Sequence, residues 1–314
     1  MTRIPDPAPI ASPSPPRVEV IAREAPRGSA AARILAIARY LRRNPQLVLG
    51  VLLLGGLLAF SLIGRLFIEA GMAQPLVGPA SLPPGAEHPL GTDPQGRDIL
   101  AVMVYGSWLT LRMGFLAGLI GMAAGSALGF VAGYYGGWTD RIITWLVDVL
   151  LTVPAILFLV IISAMLSTAL TSFGMAMIIA LLAWRRPARQ VRSQILVMRN
   201  AGYVEMARLS GASVPSIIFR EIAPNLMPFL ISSFIIAVAA AILAGIGLEA
   251  MGLGPQNEPT LGMTIYWIMK FSAFLLGMWW ILPPVLLLII LFVALYLINA
   301  GLDELANPRL RKRG

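Results

Sequence analysis

The sequence predicts an all-α membrane protein with six transmembrane helices, and three observations carry that prediction. The 314 residues are 58% hydrophobic and 12% charged, about half the charged fraction of a soluble domain, and the mean hydropathy is +0.80. The apolar residues gather into runs that approach the roughly 20 residues needed to cross a hydrocarbon core. Basic residues concentrate in alternate connections between those runs. With the N-terminus inside, 20 of the 24 Lys and Arg residues fall on inner segments, leaving Arg65, Arg97, Arg112 and Lys270 on or near the outer side. The positive-inside rule therefore places both termini in the cytoplasm.

The elements follow in order. Residues 1–44 read as a disordered cytoplasmic tail with a basic lead-in, because seven prolines are mixed with Arg and Ala up to Arg33 with no apolar period. This segment lacks the apolar core and small-residue site of a cleaved signal peptide. The transmembrane remainder, 45–314, opens with a span at 46–64 and an external loop at 65–112. Core spans lie within 113–300, at 113–135, 142–167, 172–184, 226–248 and 277–300. The fourth is short for a crossing, so its ends are expected to reach into the flanking turns or its arginines to snorkel. A basic tail, 301–314, closes the chain.

Composition also excludes chemistry. There is no cysteine and a single histidine, His88, so disulfides, thiolate metal sites and clustered metal ligands are not expected. A phosphate-cradling loop needs lysine after glycine, yet Lys270 follows Met269 and Lys312 follows Arg311. Hence no cofactor, metal or catalytic residue is assigned to this chain. The formal charge of +9 reflects topology and an anionic inner leaflet rather than a nucleic-acid footprint.

Three features stand out within the spans and loops. Gly114, Gly118, Gly121, Gly125, Gly129 and Gly133 recur at spacings of three and four, a stripe that lets helices approach closely. Asp148 is the carboxylate inside the third span, with Thr144 and Thr152 four residues to either side. It reads either as a polar group of a translocation path or as a carboxylate near the inner interface, satisfied by those hydroxyls or by a neighbouring helix. Pro154 is expected to kink the same span, with a neighbour re-satisfying the carbonyl it frees. The third feature is the basic interruption at 185–225. Within it Glu205, Leu209 and Ala212 fall near one helical face, Gly211 ends that run, and Pro215 opens a second short helix containing Ile217, Ile218 and Phe219. Two short helices at an angle, showing Tyr203 and Phe219 to the cytosol, suit a hydrophobic groove on a partner.

At Glu205-Met206-Ala207, Gly211 and Pro224 the chain resembles the permease subunits of ABC transporters, whose cytoplasmic motif runs Glu-Ala-Ala, three residues, Gly, nine residues, then Ile-x-Leu-Pro. It departs at Met206, Glu221 and Ala223. His88-Pro89-Leu90-Gly91-Thr92-Asp93 with Gly96-Arg97-Asp98 is similar to the external segment of the dipeptide, oligopeptide and nickel branch, as are Gly133 to Trp138, Gly252-Leu253-Gly254 and Asn307-Pro308-Arg309-Leu310.

The resemblance implies a type I ABC importer permease fold in the inner membrane. It also implies that the loop through Tyr203, Glu205, Ala207, Gly211, Ala212, Phe219 and Pro224 couples to the transporter's ATPase. Its expected partners are a second homologous permease, two cytoplasmic ATPase subunits that bind ATP and Mg, and an extracytoplasmic solute-binding protein. Gly91, Thr92, Asp93, Gly96, Arg97 and Asp98 would order the outer loop, although by themselves the two aspartates are ordinary turn residues and Arg97 a solvated charge. Peptides are the expected solute. Oligosaccharides are an alternative, raised by Gly245 to Ala250, which replaces the more common Glu-Ala-Ser-Leu-Ser-Phe, and by Trp279-Trp280. An ion-coupled secondary transporter would need several buried ionisable groups where only Asp148 clearly lies in a span, and a membrane scaffold would show no transport.

Overall fold

The computed structural model describes residues 44–166 and 170–306, and among them it contains helices and no strand. The readings for the N-terminal tail and for Asn307 to Leu310 lie outside the described residues. We number the helices α1 Pro45–Phe67, α2 Ile99–Tyr135, α3 Gly137–Thr152, α4 Ala155–Met165, α5 Ser172–Ala183, α6 Arg185–Met198, α7 Gly202–Leu209, α8 Val214–Ser216, α9 Ala223–Ala250, α10 Leu261–Lys270 and α11 Leu282–Ala306. Four helical stretches are long and apolar enough to cross a membrane, or five when the bent pair α3 and α4 is taken as one span.

The spine is α2, whose 37 residues make about 55 Å of helix at 1.5 Å per residue. Four apolar clusters are strung along it. Ile99 and Met103 meet Leu261, Ile268 and Trp280 at its start. Leu111 packs with Leu57, Ile242 and Leu291, and Met113 with Leu159, Met175 and Leu248. Farther along, Met122 joins Val191, Ile195, Val204, Ile217 and Leu226. The glycine stripe makes this packing possible. A Cβ on Gly118 would stand 2.8 Å from Val238 Cγ2 of α9, and one on Gly129 would stand 2.7 Å from the Ala188 carbonyl of α6. Side chains there would push the helices apart, and the close approach they now make is where their dispersion energy comes from. At the other edge α1 lies along α11, where a Cβ on Gly50 would stand 2.8 Å from Ile298 N.

Several boundaries differ from the sequence reading. The loop expected outside at 65–112 is shorter, 68–98, because α1 runs on to Phe67 and Asp98 caps α2 by accepting from Ala101 N at 2.8 Å. The third span is broken at Val153 and Pro154, with α3 and α4 bent by 81°. The fourth helix holds only 12 residues, but Trp184 keeps helical backbone angles and α6 follows at once. The stretch 185–225 is accordingly mostly helix. The second short helix expected after Pro215 is not a separate piece: α8 passes through a π turn, Ile217–Ile222, directly into α9. α11 continues to Ala306, into the segment read as a tail from residue 301.

Candidate functional site

The segment carrying the sequence-predicted coupling residues is built around one turn. The Gly211 N–H donates to the Arg208 carbonyl and the Ala212 N–H to the Ala207 carbonyl, both at 3.1 Å. That pair of bonds is a Schellman closure, which needs a left-handed residue just past the helix end. Gly211 supplies it at φ +77°. The turn folds α7 back onto the start of the next helix, so Val204 is buried among Ile217, Ile222 and Leu226, with Ala207 and Ala212 packed beside them.

What remains outside is apolar. Met206 is 65% exposed, Leu209 78% and Phe219 73%, with Tyr203 also exposed, and Glu205, Pro224 and Asn225 lie exposed nearby. Met206, a departure from the family motif, therefore sits on the outer face of α7 and does not disturb its packing. Four large apolar side chains exposed together on one segment form a patch of the kind that marks an interaction surface. The π turn beneath them adds a wide helical turn, a feature that often marks functional sites.

The outer-loop residues gather at the opposite end of α2. Asp93 accepts from the backbone N–H groups of Gln95 and Arg97 at 2.9 and 3.0 Å and from Arg97 Nε at 2.7 Å. Arg97 is 3% exposed and faces the Trp267 ring, so it is not the solvated charge that its sequence context suggests. His88 Nδ1 meets Asp98 Oδ2 at 2.7 Å. The Thr92 hydroxyl donates to the Pro79 carbonyl at 2.6 Å and accepts from Leu82 N at 2.9 Å. Gly91 and Gly96 take positive φ where Cβ atoms would stand 2.2 and 2.3 Å from the Leu82 and Gly78 carbonyls. The loop is thus a knot of polar groups bonded mostly to one another, with Gln95 Oε1 buried and left without a hydrogen bond.

Asp148 is met by a neighbouring helix and not by the threonines of its own. Thr144 donates to Asp140 and Thr152 to the Val149 carbonyl, so neither hydroxyl reaches Asp148. Instead it faces Arg189 of α6 at 3.2 Å, with its side chain 49% exposed.

Two groups escaped the sequence reading. Glu249, at the end of α9, is fully buried, and neither oxygen has a hydrogen bond of good geometry. It lies against the start of α10, where a Cβ on Gly262 would stand 2.0 Å from Glu249 Oε2 and one on Gly254 2.6 Å from Glu249 Cγ. Arg185 is 6% exposed, and its guanidinium donates to the Leu150 carbonyl. In an unbroken helix that carbonyl would accept from residue 154, which is proline and has no N–H. The spacing alone could show that a carbonyl is freed, but not which donor meets it. No group of three or more His, Cys, Asp and Glu side chains that could hold a metal occurs among the described residues.

A bundle of long apolar helices with polar groups knotted at one end of its spine and apolar side chains presented at the other is the build of a membrane transport subunit. The chain belongs to the family of binding-protein-dependent transport system inner membrane components, whose model matches residues 125–312. It is 30% identical over 295 residues to an oligopeptide transport system permease protein, OppC, of Mycobacterium tuberculosis, covering 90% of this chain and 96% of that one. It is likewise 30% identical to a dipeptide transport system permease protein, DppC, of Bacillus subtilis, over 87% of this chain and 85% of the relative. Its fold is similar to that of a chain of the MetNI methionine ABC transporter in an inward-facing conformation, with a TM-score of 0.52, 20% identity and coverage of 68% of this chain and 97% of that one.

Proposed function

We propose that this permease of a binding-protein-dependent ABC importer forms half of a peptide translocation pathway and receives the work of a separate ATPase through residues 203–225. The observation that carries this reading is the Schellman-closed α7, which leaves Tyr203, Met206, Leu209 and Phe219 unpartnered within the family-matched segment. An apolar helix face ringed by Glu205 and Arg208 suits a groove on a partner. Six crossings, α1, α2, the bent pair α3 and α4, α5, α9 and α11, put both termini and α7 in the cytoplasm and the 68–98 loop outside. A second permease completes the pathway, two ATPase subunits bind ATP and Mg, and an extracytoplasmic binding protein delivers the solute. The chain itself performs no bond chemistry. Peptide as the solute is supported by the relatives named for oligopeptide and dipeptide transport.

The test is to express the chain with its neighbouring permease, ATPases and binding protein and to measure ATP-dependent uptake of labelled di- and tripeptides. Glu205→Lys is expected to abolish uptake and ATPase copurification while membrane insertion is unchanged. Uptake at the unaltered rate in that variant sinks the coupling role. Uptake of labelled oligosaccharides in place of peptides overturns the solute.

A further inference from the structure

The arginines of α6 read in the sequence as positive charges of the basic interruption, yet in the structure three of them face α3. Arg185, Arg189 and Arg192 are spaced by four and three residues, so they share one face of α6. They meet α3 in reverse order, as antiparallel neighbours must. Arg185 donates to the Leu150 carbonyl, Arg189 faces Asp148 at 3.2 Å, and Arg192 grips Asp140 with both Nε and Nη2, the latter at 2.7 Å. Just past the end of α6, Arg199 donates to the Gly133 carbonyl of α2 at 2.9 Å.

Apart from its junction with α2, α3 packs mainly against α6. Val147 is its one buried residue, while Trp138, Ile142, Trp145 and Val149 on its other side are exposed. A cavity of about 70 Å³ lies in the seam between Thr144, Val147 and Asp148 on α3 and Arg189 and Arg192 on α6. The seam is therefore polar and incompletely packed. Partly exposed ion pairs add little to stability, but a bidentate guanidinium and carboxylate fix direction and register. α6 in turn leads through Arg199 to Ala201 into α7, and the far end of α3 is the 81° break before α4.

We infer that Arg185, Arg189 and Arg192 are positioning residues that clasp α3 to α6, so that displacement of α7 swings α3 about the break at Val153 and Pro154. The inference rests on the coupling role proposed for residues 203–225. Because Arg185 holds the Leu150 carbonyl beside the break, the hinge and the clasp are one structure. The ends of the clasp differ in kind: Arg185 serves the broken backbone, whereas Arg192 and Asp140 set the register of the two helices.

The chain has no cysteine, so spin labels can be placed on Trp145→Cys of α3 and Ile120→Cys of α2 without further substitution. The labelled chain, assembled with its partner permease and ATPases in lipid nanodiscs, is measured by double electron–electron resonance without nucleotide and after trapping ATP with vanadate. The distance is expected to shift by about 2 Å or more on trapping. Asp140→Arg is expected to lose the shift while still trapping nucleotide, and Asp140→Arg combined with Arg192→Asp to regain it. A merely structural role would lower assembly and trapping together. No shift in the unaltered sequence, a shift that survives Asp140→Arg, or an exchange that fails to restore it overturns the inference while leaving the coupling role intact. If the ATPases do not copurify with the otherwise unaltered chain, the coupling role and this inference fall together.

Discussion

Gly211 is the residue on which the candidate docking surface depends, and the reason is conformational. A Cβ there would meet nothing within 4 Å, so the constraint is the φ of +77° and not space. A β-branched residue in that conformation costs about 1–2 kcal/mol, whereas Asn adopts it more readily. Gly211→Val is therefore expected to loosen α7 and cut ATP-dependent uptake by at least about tenfold, with Gly211→Asn much milder; equal uptake defects in the two variants would refute the conformational account. Gly262 is constrained in the opposite way, by space. Its α-carbon takes ordinary helical geometry, but a methyl would sit 2.0 Å from Glu249 Oε2. Gly262→Ala is expected to destabilise the protein by about 1–3 kcal/mol, and Glu249→Ala in the same chain to recover part of that, as read by thermal unfolding in detergent. The first glycine was legible in the sequence because a helix end announces its own cap. The second was not, since its partner lies thirteen positions away in a different helix and only packing brings them together.

At the scale of elements, the glycine stripe of α2 was legible because small residues at spacings of three and four have one use in a membrane helix. Its partners were not. The stripe serves three neighbours in turn, with Gly114 and Gly118 against α9, Gly121 against α5, and Gly125 to Gly133 against α6. Gly129→Leu is expected to separate α2 from α6 and to abolish folded, monodisperse protein on size-exclusion chromatography, whereas Gly55→Leu, whose Cβ would meet nothing within 4 Å, is expected to elute normally. A normal elution profile for the Gly129 variant would show the contact to be dispensable. The break in the third span was also legible from Pro154, down to the need for a donor at the freed carbonyl. Which side chain would answer it depended on where α6 lands, and the arginine that does so reads in the sequence as one more positive charge. The fourth helix shows the same limit: hydropathy ends it at Trp184, but the backbone continues into α6 because Pro187, Ala188, Val191 and Ile195 are buried against α2.

For the whole molecule, orientation is the property most directly tested. Glu87 in the outer loop and Ser213 beyond α7 are both exposed and lie at opposite ends of the spine. In intact cells a membrane-impermeant maleimide is expected to label Glu87→Cys, and to label Ser213→Cys only after permeabilisation; the reverse pattern would invert the topology. The long apolar runs and the asymmetric arginines determined, without any structure, that the chain is helical and lies in a membrane, because backbone polar groups in hydrocarbon must be satisfied within each helix. The helix-capping glycine and the order of motifs likewise pointed to the family and to α7. Tertiary structure alone decided that Arg97 is buried, that Asp148 faces Arg189, that Glu249 lies under Gly262, and that three arginines of the basic stretch close onto α3. These are pairings between distant positions, and a charge in a sequence shows its sign and its neighbours along the chain but not the partner that folding sets across from it.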